Sequence, residues 1–248
     1  MTDSHAHLDA GDVDATAVVA RARSAGVTRI VTIGTGIDSC RAALEIADTH
    51  ERVFAVLGID PHQAGTAEAQ RTAELRELLA HPKAVAVGET GLDSVRMHAT
   101  PEQQRHLLGA HLELADELGL PVVIHNREAD DETARALEGF DGTVVLHCFS
   151  SPGLLPIAVE RRYYVSFAGN VTYPNAGELR DSAAAVPRDR ILVETDTPYL
   201  APQPFRGKAN EPAHLVHTLE VLAEARGESR DTLAAATHAN AAAAFALP

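Results

Sequence analysis

Along the 248 residues, apolar positions gather into short runs rich in β-branched side chains, at residues 29–33, 53–57, 84–87, 121–124, 142–146, 163–167 and 190–193. Each run is nearly continuous rather than alternating. That pattern predicts parallel strands buried on both faces. Between the runs, residues 15–25, 39–50 and 101–118 space their apolar side chains by three and four, which predicts helices with one buried face. Gly26 and Gly119 follow two of these stretches, where helices prefer to stop. Pro101 suits a first helical turn, with Thr100 as its N-cap. Residues 3–7 add a short opening strand, giving eight. Residues 210–247 predict two or three further helices. Eight strands alternating with helices imply an α/β fold of the (β/α)8, TIM-barrel type, occupying residues 1–248 as one domain.

Composition agrees with a folded chain and narrows its core. Hydrophobic residues make up 45%, with no Trp and few aromatics, so an aliphatic core is expected. Cys40 and Cys148 lie too far apart in sequence to suggest a disulfide framework. A reducing, cytoplasmic setting is therefore expected. No signal-peptide pattern opens the sequence, and no apolar run approaches the roughly 18 residues a membrane helix needs. The net charge of −14 argues against a protein that coats nucleic acid. It does not exclude an enzyme that admits one phosphate to a locally positive, metal-filled pocket. Nothing marks an exposed apolar interface, so a monomer is expected.

The chemistry is carried by where ionisable residues fall. His5 and His7 close the first strand, and His62 lies just past the third. Glu89 ends the fourth, His125 the fifth, His147 the sixth, and Asp196 the eighth. In a barrel these ends share one mouth. His5-Ala6-His7 has a physical logic, because alternate strand residues point the same way and both imidazoles can serve one ion. Imidazole and carboxylate together suit Zn²⁺ or Mn²⁺ better than Ca²⁺. A carboxylate such as Glu89 can bridge two ions. A lone His-x-His, a buried Glu or a capping Asp would each be weak evidence, and it is their coincidence at strand ends that points to metal. The other histidines, His50, His81, His98, His106, His111, His214, His217 and His238, sit in helical or loop contexts and are expected on the surface.

The opening Asp3-Ser4-His5-Ala6-His7-Leu8-Asp9 resembles the signature of the TatD-type metal-dependent deoxyribonucleases. Later blocks follow in order: residues 58–62, Val87-Gly88-Glu89-Thr90-Gly91-Leu92-Asp93, residues 121–125, residues 147–150, residues 166–173, residues 192–200 and residues 204–212. The resemblance covers almost the whole chain. It implies a divalent ion, Mg²⁺, Mn²⁺ or Zn²⁺, on His5, His7, Glu89 and Asp196, and a second on Glu89, His125 and His147. It also implies that Asp196 orients or deprotonates the attacking water, and that the substrate is the end of a DNA strand, single-stranded, cut with 3′–5′ exonuclease character. Arg96, Arg206 and Lys208 are candidate phosphate contacts; His62 at the mouth is either a further one or a structural histidine beside Pro61, and Arg127, past the His125 strand end, either reaches substrate or caps the surface. Two departures stand out. Ser94 and Val95 replace the aromatic pair that usually follows Gly-Leu-Asp, and His111 replaces a common Gln. Missing aromatics would weaken base stacking.

Two other readings stay open at this point. One is an amidohydrolase, deacylase or phosphotriesterase acting on a small or tRNA-linked ester. Many such enzymes bridge their ions with a modified lysine, whereas this chain has only Lys83 and Lys208. The other is a non-catalytic metal-binding protein, disfavoured because the water-activating carboxylate accompanies the ligands.

Overall fold

The structure, a computed structural model, describes residues 1–11, 14–96 and 98–248. Among these, eight strands form one parallel sheet in the order of the chain: β1 (Thr2–Ala6), β2 (Arg29–Gly34), β3 (Val53–Leu57), β4 (Ala84–Asp93), β5 (Val122–Arg127), β6 (Val144–Leu146), β7 (Tyr164–Phe167) and β8 (Ile191–Val193). The ring closes where Asp196 N–H donates to the His5 carbonyl at 2.9 Å and His7 N–H to the Thr197 carbonyl at 2.8 Å. Nine α-helices among the described residues fill the crossovers and the C-terminus: α1 (Ala15–Ser24), α2 (Ile37–Thr49), α3 (Thr72–Leu79), α4 (Pro101–Leu118), α5 (Asp130–Ala136), α6 (Leu155–Glu160), α7 (Gly177–Ala185), α8 (Leu215–Arg226) and α9 (Arg230–Ala244). No described helix is long and apolar enough to cross a membrane.

The near-continuous apolar runs divide between two cores, as strands covered on both faces require. Outward residues such as Ile30, Ala55, Val87 and Ile124 pack with Ile37, Leu44, Leu75 and Leu108 of the helices. Inward residues Val31, Ile33, Val56, Val123, Val145 and Leu192 fill the barrel, joined by Ala241 and Ala244 of α9 and by Phe245 and Leu247 beyond it. The interior is therefore packed solid away from the mouth.

Helix signals read from sequence have their physical counterparts. Thr100 accepts from the Gln103 backbone N–H, and Gln103 returns the bond to Thr100, a complete capping box at the start of α4. Gly119 ends α4 in the left-handed region, with φ of 63°. The main difference lies in β4. The apolar run predicts its end at residue 87, yet the strand continues to Asp93. It does so because β5 continues beside it, pairing Gly91 with His125, Leu92 with Asn126 and Asp93 with Arg127. Gly91 makes that pairing feasible. Its φ is +148°, and a Cβ there would lie 1.9 Å from the His125 carbonyl oxygen. Glu89 is thus a strand residue, as expected, and Asp93 is one as well, held beside His125 rather than in the loop after the strand.

Candidate metal centre

Six side chains from β1, β4 and β5, or from the first to third residue beyond β1, β6 and β8, meet at the mouth. They are the six proposed from sequence as ligands. Glu89 is the hub. Its Oε1 lies 2.8 Å from His125 Nδ1 and 3.1 Å from His147 Nε2, while its Oε2 lies 3.4 Å from His5 Nε2 and 3.8 Å from His7 Nε2. Asp196 Oδ1 faces the first pair, 3.5 Å from His7 Nε2 and 3.8 Å from His5 Nε2. Each Glu89 oxygen therefore serves one pair of imidazoles, and Asp196 joins only the pair from β1.

The donor set fits two divalent ions. The ring nitrogens of His5 and His7 approach to 3.3 Å, as do those of His125 and His147. Such edges meet comfortably when they share a cation with carboxylate oxygens. His5, Glu89 and Asp196 are buried, as is His147, whose ring stacks on that of His5 at 3.9 Å. Burial would raise the Glu89 carboxyl, but the His147 charge and the contacts from His125, His147 and His5 outweigh it and hold the carboxyl well below its ordinary range. The reciprocal contacts lift His125, His147 and His7 against the opposing effect of burial, whereas burial lowers His5. Ring lone pairs that attract protons in this way are those a cation would engage.

A ring of carboxylates backs the ligands, and sequence reasoning gave these no role. Asp93 is buried behind His125, its Oδ2 3.3 Å from Nε2. Glu194 is buried behind His147, its Oε1 3.5 Å from Nδ1, and it accepts the Cys148 N–H at 2.6 Å. Asp3 accepts the Thr195 N–H at 2.9 Å and its hydroxyl at 2.6 Å, tying β1 to the loop that presents Asp196. Burial pushes the Asp3 carboxyl up to about 8. Asn210 braces that loop from beyond, donating to the Thr195 and Tyr199 carbonyls, each at 2.8 Å. Position just after a strand was the available signal for Glu194, and the Gly-Leu-Asp run for Asp93.

The candidate substrate contacts fall in four places. His62 points Nε2 at Asp93 Oδ2, 3.0 Å away, and Nδ1 at Asp60 Oδ2, 3.5 Å away. The Asp60 contact foremost, aided by Asp93, lifts His62 to about 8. A phosphate oxygen would compete with Asp60 for Nδ1. Arg96 is exposed, its own backbone N–H bound to Asp93 Oδ1 at 2.7 Å. Arg206 and Lys208 are exposed on the loop after β8, the Arg206 guanidinium 4.3 Å from the Tyr173 ring centroid and the Lys208 ammonium 6.0 Å from that of Phe205. Arg127 is exposed at the end of β5.

Among the histidines expected on the surface, His111 is a correction. It is fully buried on α4. Its Nε2 accepts the Ile59 N–H at 3.2 Å and its Nδ1 donates to the Leu107 carbonyl at 2.8 Å. Helical periodicity located the helix, but α4 turns this polar residue inward because two backbone groups satisfy it. Lys83 donates to the carbonyls of His50, Glu51 and Val53, beside the starts of β3 and β4 and so at the opposite end of the barrel from the metal ligands.

Comparison with known proteins agrees with this geometry. The profile of the TatD-related DNase family matches residues 2–246. A Mycobacterium tuberculosis protein described as the uncharacterized metal-dependent hydrolase TatD is 41% identical, covering 100% of this chain and 98% of its own. The 3′-5′ ssDNA/RNA exonuclease TatD of Cronobacter sakazakii is 38% identical, covering 94% and 92%. The crystal structure of YJJV, a TatD homolog from Escherichia coli K12, superposes with a TM-score of 0.94 at 32% identity, covering 100% and 98%. The phosphotriesterase homology protein of Escherichia coli shares the fold, with a TM-score of 0.70 at 17% identity. This chain belongs to the TatD-related DNase family.

Proposed function

We propose that this protein hydrolyses phosphodiester bonds at the 3′ end of single-stranded nucleic acid, using two divalent ions. The first ion takes His5, His7, Glu89 and Asp196, and the second takes Glu89, His125 and His147. The observation that carries this reading is the Glu89 carboxylate, which turns one oxygen to each pair of imidazoles. The description of the Cronobacter relative as a 3′-5′ ssDNA/RNA exonuclease supports the choice of substrate.

Two bound cations would supply a water of lowered pKa and offset charge on the phosphate. The rest is the work of this chain's own groups. Asp196 takes the proton of the attacking water as general base. The Asn210 and Asp3 contacts around Thr195 hold the Asp196 loop in place while it does so. Arg96, Arg206 and Lys208, exposed near the mouth on a chain of net charge −14, draw the phosphate backbone in and offset charge as the bond breaks. His62 orients a phosphate oxygen in exchange for its contact with Asp60. Cys40 and Cys148, both free thiols, suit a cytoplasmic site of action. The lysine-bridged rival loses ground, because Lys83 is tied down away from the ligands.

The test pairs bound metal with hydrolysis of a 5′-labelled single-stranded oligonucleotide, alongside RNA and activated esters. The wild-type protein should shorten the DNA stepwise in Mg²⁺ or Mn²⁺. The Asp196→Asn variant should lose about 10²–10⁴-fold in rate, and Glu89→Ala should lose both metal and activity. A Glu89→Ala protein that keeps both would end this proposal. Ester hydrolysis without nuclease activity would favour the small-molecule reading instead.

A further inference from the structure

The four imidazoles of the centre do not present the same nitrogen. His147 turns Nε2 to Glu89, and His5 does likewise, but His125 turns Nδ1. Its Nδ1 lies 2.8 Å from Glu89 Oε1 and 3.3 Å from His147 Nε2. Ligation there requires the proton to sit on the opposite nitrogen, Nε2. A neutral imidazole has no strong preference that guarantees this, so a neighbour must decide it.

Asp93 Oδ2 lies 3.3 Å from that Nε2. The carboxylate itself is held from several sides. Its Oδ1 accepts the Val95 N–H at 2.8 Å and the Arg96 N–H at 2.7 Å. Its backbone N–H donates to Gln104 Oε1 at 2.8 Å, while Gln104 Nε2 donates to the Asp93 carbonyl at 3.1 Å. His62 meets the same Oδ2 from another side at 3.0 Å. We infer that Asp93 is a positioning residue, which fixes His125 in the Nε2–H tautomer and so presents a free Nδ1 lone pair to the second ion. An acceptor-only group behind a ligating histidine sets both tautomer and ring orientation, and losing it costs about 10–100-fold in metal affinity. The inference rests on the two-ion reading and adds that the second ion depends on a residue that does not touch it.

Asp93→Asn tests this sharply. The amide oxygen can keep the Val95 and Arg96 N–H groups, which turns the NH₂ toward His125 Nε2. A donor there favours the opposite tautomer, placing N–H at Nδ1 against Glu89. Metal-depleted wild-type and variant proteins are titrated with Zn²⁺ by equilibrium dialysis, and bound ions are counted by elemental analysis. Wild type should hold two. The variant should hold one with unchanged affinity and the second about 10–100-fold more weakly. Long-range ¹H–¹⁵N spectra of the Zn²⁺-loaded wild type, which need no variant to fold, should show His125 protonated at Nε2 and bare at Nδ1. Two ions held by the variant with wild-type affinity, or a Zn²⁺-loaded wild-type His125 that carries its proton at Nδ1, would overturn the inference while leaving the two-ion reading intact. Wild-type protein that binds no ion would sink both. A third ion in the wild type, lost in the variant, would also overturn it, since Asp93 would then be a ligand shared with His62.

Discussion

His111 shows how a single buried side chain makes stability depend on pH. Its ring is locked neutral between an Ile59 donor and a Leu107 acceptor, and burial lowers it from the ordinary 6.5 to about 4. Folding therefore favours the unprotonated ring. The stabilisation is complete above pH 6.5 and is lost as the pH falls from 6.5 to 4, because only the unfolded chain takes the proton in that window. The full effect is roughly 3 kcal/mol, at about 1.4 kcal/mol per pKa unit. In His111→Gln an amide can accept from Ile59 and donate to Leu107 without titrating. Urea midpoints at pH 7 and pH 4.5 should thus diverge less for the variant than for wild type. Equal acid losses in the two proteins would remove His111 from the account. Sequence could not show this burial, since periodicity gives the apolar face of α4 but not which polar residue finds partners beneath it. Asp93 and Glu194 were illegible for a related reason. Both lie in blocks that sequence singled out, but their roles depend on which ring nitrogen stands behind them.

At the scale of elements, the apolar runs located seven of the eight strands, the polar opening stretch at residues 3–7 supplied the first, and strand-end position located all six candidate ligands. What they could not give was the extension of β4 to Asp93. That stretch, Gly88-Glu89-Thr90-Gly91-Leu92-Asp93, is polar and glycine-rich, and it stays in the sheet through pairing with β5 rather than through its own propensity. Gly91 is where this pairing is most exposed to damage. An added Cβ would meet the His125 carbonyl at 1.9 Å, and φ of +148° is strained for any L side chain. Gly91→Ala should cost at least about 3 kcal/mol and should weaken the second ion more than the first, since β5 must move and carries His125 with it. Gly109 within α4 is the control, because a Cβ there meets nothing within 4 Å. Gly109→Ala should stabilise by about 0.5–1 kcal/mol. Thermal melts and ion counts on the two variants would check the pair, and a Gly91→Ala protein as stable as Gly109→Ala would contradict it.

Over the whole molecule, the solid barrel interior and the ionisable mouth make opposite demands on folding. The aliphatic core below the ligands is satisfied by packing alone. Above it, Glu89, Asp196, Asp93, Glu194 and Asp3 are all buried near one another in a chain whose net charge is already −14. Buried carboxylates at that density are costly unless countered. The imidazoles counter part of the charge, and two divalent cations would counter more of it. Metal binding should therefore be a large share of folding stability as well as a requirement of catalysis. Each ion at a hundredfold excess over its Kd adds about 2.7 kcal/mol, and a chain of this length gains about 2–4 °C in Tm per kcal/mol. Saturation of both sites at that excess should then raise Tm by roughly 10–20 °C over chelator-treated protein. Glu89→Ala should shrink most of that difference, because it removes the oxygens common to both sites. The melting of metal-depleted and metal-loaded protein, wild type beside Glu89→Ala, decides the matter. A wild-type Tm unmoved by chelation would mean that the clustered carboxylates are compensated by protons and imidazoles alone.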